Sequence, residues 1–128
     1  METTAEASGP ATPGEVWERY ADPSRWPGWA PQITEVHTDA VRIAPGADGR
    51  LFAAGGVRLD FTVTDVDEQH RKWSWSVRFG LLTLHLDHGV EAAGEGSTTW
   101  LNARGPAFLI MPYMPFARSA LQNLVQQC

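Results

Sequence analysis

Apolar and polar side chains alternate without a break in two neighbouring segments of the second half of the chain. From position 72 to position 79 every second residue is large and apolar, namely Trp73, Trp75, Val77 and Phe79. From position 82 to position 90 the same spacing gives Leu82, Leu84, Leu86, His88 and Val90. Because successive side chains of a β-strand point to opposite faces, the pattern predicts two strands that share one apolar face. His88 is the titratable group on that face.

More strands are predicted by the same reasoning, each bounded by turn residues. They cover positions 33–43, 50–54, 57–66 and 97–104. Gly55-Gly56, Gly80 and Gly94-Glu95-Gly96 mark tight turns between successive strands. Short turns make neighbouring strands run antiparallel, so the pattern indicates a meander of six strands.

Helical signals precede the strands. Thr12-Pro13-Gly14-Glu15 combines a cap residue, a proline at the first helical position and an acidic capping-box partner. This motif predicts a helix that continues to about Ala21. Asp22-Pro23 ends that helix, and a second, short helix is predicted around positions 24–29.

The longest predicted helix follows the last strand, over about positions 107–127. Pro112 and Pro115 are expected to break its start, so that positions 110–116 form an irregular apolar segment. A sheet with one apolar face must be covered by another element, and this helix is the only long one available.

The sequence therefore predicts an α+β fold, in which a curved antiparallel β-sheet wraps around a long C-terminal α-helix. The two short N-terminal helices are expected to close one end. Such a sheet closes incompletely, so a cavity is expected between sheet and helix. A length of 128 residues corresponds to a single domain over positions 1–128. Six tryptophans in so short a chain favour a large core that aliphatic packing alone does not fill.

Charge and composition narrow the range of functions. The chain carries 15 acidic and 10 basic residues and no cluster of lysine and arginine, so nucleic acid is not an expected partner. Cys128 is the one cysteine, which excludes an internal disulfide and a cysteine-based zinc site. His85 and His88 point to opposite faces of their strand, so no metal site is predicted.

The start of the chain lacks a signal-peptide pattern, and no apolar stretch is long enough to cross a bilayer. The sequence therefore predicts a cytoplasmic protein without integral membrane association.

Short motifs occur along the whole chain in a definite order. They are Ala11-Thr-Pro-Gly-Glu-Val-Trp17, Ala21-Asp-Pro23, Trp26-Pro-Gly-Trp29, Pro45-Gly46, Arg71-Lys-Trp-Ser-Trp75, His88, Gly94-Glu-Gly-Ser-Thr98 and Gly105-Pro106. In this order and spacing the chain resembles the START-like (SRPBCC) superfamily, particularly its polyketide cyclase/dehydrase and lipid-transport branch. The resemblance implies the helix-grip (START-like) fold and a deep, mostly apolar cavity. It also implies an additional first strand over Thr3–Pro10, expected to be short or loosely paired because of Ser8-Gly9-Pro10.

Candidate ligand contacts follow from strand parity and from the start of the last helix. They are Trp29, Phe61, Trp73, Trp75, Val77, Leu86, His88, Met111, Tyr113, Met114 and Ala117. Core packing is the default role for Phe61, Trp73 and Trp75, with ligand contact as the alternative. Trp26 and Trp29 either gate the mouth of the cavity or pack against the sheet edge. The charged or titratable residues of opposite parity are predicted to form a solvated outer face: Arg58, Asp60, Arg78, His85 and Asp87.

Three functions are compatible with this pattern. The leading hypothesis is binding of a small hydrophobic molecule, lipid-like or polyketide and aromatic, oriented by His88 and without a cofactor. The alternative is a cofactor-independent polyketide cyclase, aromatase or dehydratase in which His88, with Tyr113 or a bound water, acts as acid and base. An apolar groove that receives a protein segment is the third. The sequence leaves open whether the chain is a monomer or a homodimer.

Overall fold

The computed structural model describes residues 1–126, which form one antiparallel sheet and a set of helices. The helices are α1 (Pro13–Ala21), a 3₁₀ turn (Pro23–Arg25), α2 (Trp26–Trp29) and α3 (Ala107–Leu124). The strands are β1 (Glu2–Gly9), β2 (Ile33–His37), β3 (Asp48–Ala53), β4 (Val57–Asp67), β5 (Lys72–Phe79), β6 (Leu82–Ala93) and β7 (Gly96–Arg104). The predicted end of the last helix near Gln127, and Cys128 itself, lie outside the described residues.

The sheet is the predicted meander with one strand added at its edge. Its seven strands lie in the order β1-β7-β6-β5-β4-β3-β2, so every strand from β2 to β6 pairs with the next one in sequence and β7 pairs with β1 as well. α3 packs chiefly against β1 and β7, at one side of the concave face. The space between α3 and the middle strands is therefore wider, and the helix-grip arrangement expected from the sequence is confirmed.

The expectation that the first strand is short or loosely paired is wrong. β1 pairs with β7 over its full length, from Glu2 opposite Arg104 to Gly9 opposite Ser97. Gly9 serves the packing of α3, because a Cβ atom there would lie 2.5 Å from the carbonyl oxygen of Val125. The residue that suggested a weak strand is the one that lets the end of the helix approach the sheet.

The first predicted strand of the meander is shorter than expected. β2 ends at His37, and positions 38–43 leave the sheet to pack against the end of α1. The backbone N–H of Ile43 donates to the carbonyl of Ala21 at 2.8 Å, and the Ile43 side chain is buried. A tertiary contact with α1 thus replaces the strand pairing that the alternation suggested.

The prediction that prolines break the start of the last helix is also wrong. α3 continues without interruption through Pro112 and Pro115. Each proline removes the hydrogen bond to the carbonyl four residues earlier, which belongs to Phe108 and Met111 respectively. Both prolines and both of those residues are exposed, so water can solvate the freed carbonyls.

Replacement of Gly9 by alanine tests the close approach of α3 to β1. We expect Gly9→Ala to lower the free energy of unfolding by about 1–3 kcal/mol, because the added methyl group meets backbone that cannot move cheaply. Gly14→Ala is the matched control: a Cβ atom there meets nothing within 4 Å, and alanine favours helix α1 by up to about 1 kcal/mol. Urea unfolding of both variants measures the difference, and a Gly9→Ala variant as stable as Gly14→Ala would contradict this account.

Candidate functional site

An aromatic cluster fills the deep end of the interior. Trp26 of α2 packs on Trp73 with ring centroids 5.8 Å apart, on Trp75 at 5.0 Å and on Phe61 at 5.2 Å. Tyr20 of α1 meets Trp73 at 5.7 Å. All five side chains are at most 5% exposed. The tryptophans at this end therefore pack against one another, which is the core-packing role considered for them.

Open space remains farther along the sheet, in a cleft between the concave face and α3. Its outer part has a volume of about 90 Å³ and is lined by Gln32, Ile33, Leu51, Phe52, Ala53, Leu59, Trp75, Val77, Leu84, Leu86 and Tyr113. Its inner part has a volume of about 10 Å³ and is lined by Trp29, Gln32, Ile33, Trp75, His88, Leu101, Tyr113, Ala117, Ala120 and Leu121. The two parts share four lining residues and so adjoin. Pockets for drug-sized ligands usually measure roughly 300–1,000 Å³, so this cleft encloses only a small group.

The structure brings most of the predicted contacts to this cleft but not all of them. Those that line it are Trp29, Trp75, Val77, Leu86, His88, Tyr113 and Ala117. Phe61 and Trp73 belong to the aromatic cluster, and Met114 is buried without lining the cleft. Met111 is 64% exposed, because the unbroken helix holds it on the solvent side. Met111 therefore does not line the cleft, contrary to the prediction.

Trp26 and Trp29 are not placed as residues that gate the mouth of a cavity would be. The indole N–H of Trp26 donates to the carbonyl of Tyr20 at 2.9 Å, and that of Trp29 donates to the carbonyl of Arg19 at 3.0 Å. Both rings are thereby fixed to α1 and buried, which is the packing alternative. Trp29 still contributes to the wall of the inner cleft.

Gln32 is a polar lining residue that the sequence did not predict. It lies between Pro31 and Ile33 in the short connection from α2 to β2, where no periodic pattern marks an inward direction. Its side-chain oxygen Oε1 is buried and has no hydrogen-bond partner among the described residues. The sequence shows only that Gln32 directly precedes the strand predicted to start at Ile33.

His88 is held at the inner end of the cleft by its neighbours on β5. The Trp75 indole N–H donates to His88 Nε2 at 3.0 Å, and the imidazole stacks on the Trp73 ring at a centroid distance of 5.0 Å. An indole N–H can only donate, so Nε2 is the acceptor and the proton of the neutral ring lies on Nδ1. Burial lowers the pKa of His88 to about 3, so the ring is neutral at physiological pH.

The inner cleft thus presents neutral polar groups that lack protein partners. Nδ1 of His88 and Oε1 of Gln32 are buried without a hydrogen-bond partner in the part of the chain that the structure describes. Burial raises the pKa of Tyr113, so its hydroxyl stays protonated and can donate. An unpaired buried polar atom costs roughly 1–3 kcal/mol, which a ligand group of matching polarity would recover.

The outer face of the sheet carries the charged residues predicted for it. Arg58, Asp60 and His85 are exposed there. Asp60 lies 3.3 Å from Arg50, and Asp87 lies 3.5 Å from Arg104. Within the described residues no group of three or more His, Cys, Asp or Glu is arranged to hold a metal ion. Among the same residues there is no helix with the length and apolar character needed to cross a membrane.

The lowered pKa of His88 predicts a specific loss of stability in acid. The unfolded chain binds a proton near the ordinary value of 6.5, whereas the folded chain does not until the pH approaches about 3. Stability from this group is therefore complete above pH 6.5 and falls by about 1.4 kcal/mol for each pH unit below it. His88→Gln, whose amide oxygen can still accept from Trp75, should flatten this dependence in denaturant titrations.

The exposed His85 on the same strand provides the control. We expect His85→Gln to keep the acid sensitivity of the original protein, since its side chain points to solvent. Equal acid sensitivity of His88→Gln and the unaltered protein would show that His88 is not a neutral buried group.

Comparison with known proteins agrees with this architecture. The family described as polyketide cyclase / dehydrase and lipid transport matches residues 1–128. Comparison with curated proteins gives no match. Among solved structures, Ara h 8.0201 has a TM-score of 0.78 at 14% identity, over 97% of this chain and 94% of the other.

Two further structures extend the comparison. The di-domain ARO/CYC BexL from the BE-7585A biosynthetic pathway has a TM-score of 0.79 at 16% identity, over 98% of this chain and 45% of BexL. The protein TTHA0849 from Thermus thermophilus has a TM-score of 0.73 at 19% identity, over 97% and 94% of the two chains. Likeness at such identities shows a shared fold, and the match over the full length of the chain shows the family. This chain belongs to the polyketide cyclase/dehydrase and lipid-transport family of the START-like (SRPBCC) superfamily, as its motifs indicated.

Proposed function

We propose that this protein binds a small, apolar, uncharged molecule in the cleft, with a carbonyl-like acceptor directed to His88. The observation that carries the proposal is the combination of an apolar wall with an unpaired, neutral N–H donor at its inner end. The outer cleft supplies apolar contacts from Val77, Leu84 and Leu86. His88 orients the ligand through a hydrogen bond and contributes no charge.

The size of the cleft sets what part of a ligand it encloses. A cavity of about 150 Å³ accommodates benzene, so the outer part, at about 90 Å³, takes a smaller or incompletely enclosed group. Burial of about 150 Å² of apolar ligand surface contributes about 4 kcal/mol before the cost of immobilising the ligand, so the enclosed part alone binds weakly. Tighter binding requires a longer ligand that extends out of the mouth of the cleft, as a lipid-like or polyketide chain would.

The polar groups favour a neutral acceptor over an anion. The lining includes no lysine or arginine, and His88 has no charge at neutral pH. A carboxylate placed there would lose its hydration without gaining a cation, which is unfavourable. A ketone or ester can accept from His88 Nδ1, and a hydroxyl group can in addition donate to Gln32 Oε1.

A cofactor-independent cyclase, aromatase or dehydratase remains the second candidate, favoured by the presence of His88 and Tyr113 in the same inner cleft. General acid–base catalysis works best with pKa values near the operating pH. Burial moves the pKa of His88 far below that range and the pKa of Tyr113 above its ordinary value. Both groups can polarise a carbonyl, but they exchange protons poorly at neutral pH, so binding is the better supported function.

Obstruction of the outer cleft tests the location of the site. Leu84→Trp places an indole in the outer cleft, and we expect it to reduce the affinity for acetophenone about tenfold or more, because the ligand ring loses its apolar contacts. Leu81→Trp is the control with the same substitution at a fully exposed position outside the lining. Ligand-observed NMR measures both. Unchanged affinity in Leu84→Trp would remove the cleft as the binding site.

A matched ligand series tests the role of His88. We expect acetophenone to bind about three- to tenfold more tightly than ethylbenzene, in keeping with one net hydrogen bond, and benzoate to bind least well. The double variant His88→Leu/Trp75→Phe should abolish the preference for the ketone while retaining ethylbenzene, and His85→Leu should change neither. Both substitutions are needed because the loss of His88 alone would free the Trp75 N–H to donate to the ketone.

The same double variant separates the two candidate functions. Loss of turnover of a short poly-β-keto substrate with unchanged probe binding would favour the catalytic role. If the preference for acetophenone persists and no activity changes, His88 is not a site residue.

A further inference from the structure

Large apolar side chains are exposed at the end of the molecule where the cleft opens. We call Val57, Phe79, Leu81, Phe108 and Met111 the apolar rim. Leu81, in the β5–β6 turn, is 103% exposed, and Phe108 and Met111, in the first turns of α3, are 66% and 64% exposed. Folding of a single chain leaves this apolar surface in water, which is unfavourable.

The strand register places the sheet residues of the apolar rim at the mouth of the cleft. Val57 pairs with Ala53, which lines the outer cleft. Asp60 pairs with Arg78 on the neighbouring strand. Continuation of that register puts Val57 at the level of the β5–β6 turn, which carries Leu81.

The start of α3 lies against the same end of the sheet. A Cβ atom on Gly105 would lie 2.8 Å from Cδ2 of Leu84, which lines the outer cleft, and 3.1 Å from the carbonyl oxygen of Thr83. Phe108 follows Gly105 by less than one helical turn. The apolar rim therefore borders the mouth of the cleft on the sheet side and on the helix side.

The charges around the apolar rim balance, although the chain as a whole is acidic. This end of the sheet carries four arginines and four acidic residues: Arg50, Arg58, Arg78 and Arg104 against Glu2, Glu35, Asp60 and Asp87. The whole chain has a net charge of −5, so two copies repel each other in most orientations. An approach through this end avoids that repulsion.

We propose that the apolar rim is an interface between two copies of this chain, which meet mouth to mouth around a two-fold axis. In a two-fold dimer the same patch meets itself, so it must be complementary to itself. An apolar patch with balanced charges around it meets that requirement. Aromatic residues, methionine and arginine are also the residue types enriched at protein interfaces, and homodimer interfaces are more apolar than other protein surfaces.

The exposed area of the apolar rim approaches what a stable dimer needs. With roughly 150–250 Å² for a large side chain, exposed fractions between 38% and 103% leave roughly 500–700 Å² of apolar surface on each chain. A stable interface takes about 800 Å² from each partner. The arginines next to the rim extend the surface toward that size.

Pairing in this orientation would complete the ligand site, an inference that rests on the proposed binding function. The cleft of one chain encloses about 90 Å³ in its outer part, whereas ligand pockets usually measure roughly 300–1,000 Å³. The partner's rim would cover the mouth and surround the part of a longer ligand that projects from it. Ligand binding and pairing would then strengthen each other.

Sedimentation equilibrium of the full chain tests the pairing. We expect the apparent mass to rise from 14.1 kDa toward twice that value as the protein concentration increases. Leu81→Glu and Phe108→Glu should each raise the dissociation constant of the dimer about tenfold or more, because each would bury a carboxylate in an apolar interface.

Val41→Glu is the matched control for these substitutions. Val41 is 87% exposed, and it lies in the segment after β2 that packs on α1 through Ile43, away from the apolar rim. Its replacement should leave the dimer unchanged. A monomeric original protein at about 1 mM, or equal weakening by Val41→Glu, would overturn the proposal.

Octanophenone, whose alkyl chain is too long for a single cleft, tests the completed site. We expect saturating octanophenone to lower the dissociation constant of the dimer about tenfold, and acetophenone to leave it unchanged, because the coupling between ligand and partner is reciprocal. An unchanged dimer in the presence of bound octanophenone would contradict the mouth-to-mouth arrangement.

Two variants separate this proposal from the binding function of the cleft. Leu84→Trp should lose acetophenone while the dimer persists, because that side chain lines the cleft. Leu81→Glu should be monomeric and still bind acetophenone. A dimer that binds neither ketone would refute the binding function alone, and a protein that binds acetophenone but stays monomeric at about 1 mM would refute the interface alone.

Discussion

The aromatic cluster around Trp26 is the interaction on which the rest of the structure depends. Trp26 joins α2 to the sheet through Trp73, Trp75 and Phe61. Large aromatic side chains bury roughly 150–250 Å² each, so this contact closes the deep end of the sheet and holds the N-terminal helices against it. The same packing consumes the volume that a deep cavity would need. Between the sheet and the helices of residues 1–126, space for a ligand remains where α3 diverges from the middle strands, at the opposite end.

The cluster also sets the chemistry of His88. Trp73 stacks on the imidazole and Trp75 donates to its Nε2, so the ring is dry and its tautomer is fixed. A histidine in such surroundings is a neutral hydrogen-bond donor rather than a proton carrier. Gln32 and Tyr113 add further neutral polar atoms to the same space. The inner cleft is consequently suited to recognise the position of a carbonyl or hydroxyl group on an apolar molecule.

The two ends of the molecule differ in packing and in proposed function. One end is packed and is fixed by α1 and α2, while the other is open and apolar. This division follows from topology: alternate turns of an antiparallel meander fall at the same end, so the β3–β4 turn, the β5–β6 turn and the start of α3 meet there. Ligand uptake is therefore proposed for one end, and stability is concentrated at the other.

The sequence by itself determined the strands from β3 to β7, the cap of α1 and the inward direction of Trp73, Trp75 and His88. These features depend on local periodicity and on turn residues, which act over a few positions. Only the tertiary structure decided the full pairing of β1, the continuity of α3 through Pro112 and Pro115, and the position of Gln32. Above all, it decided how much space remains inside. The alternation of residues along a strand predicts the face to which each side chain points. Whether side chains on facing elements touch depends on the distance between elements that are far apart in sequence.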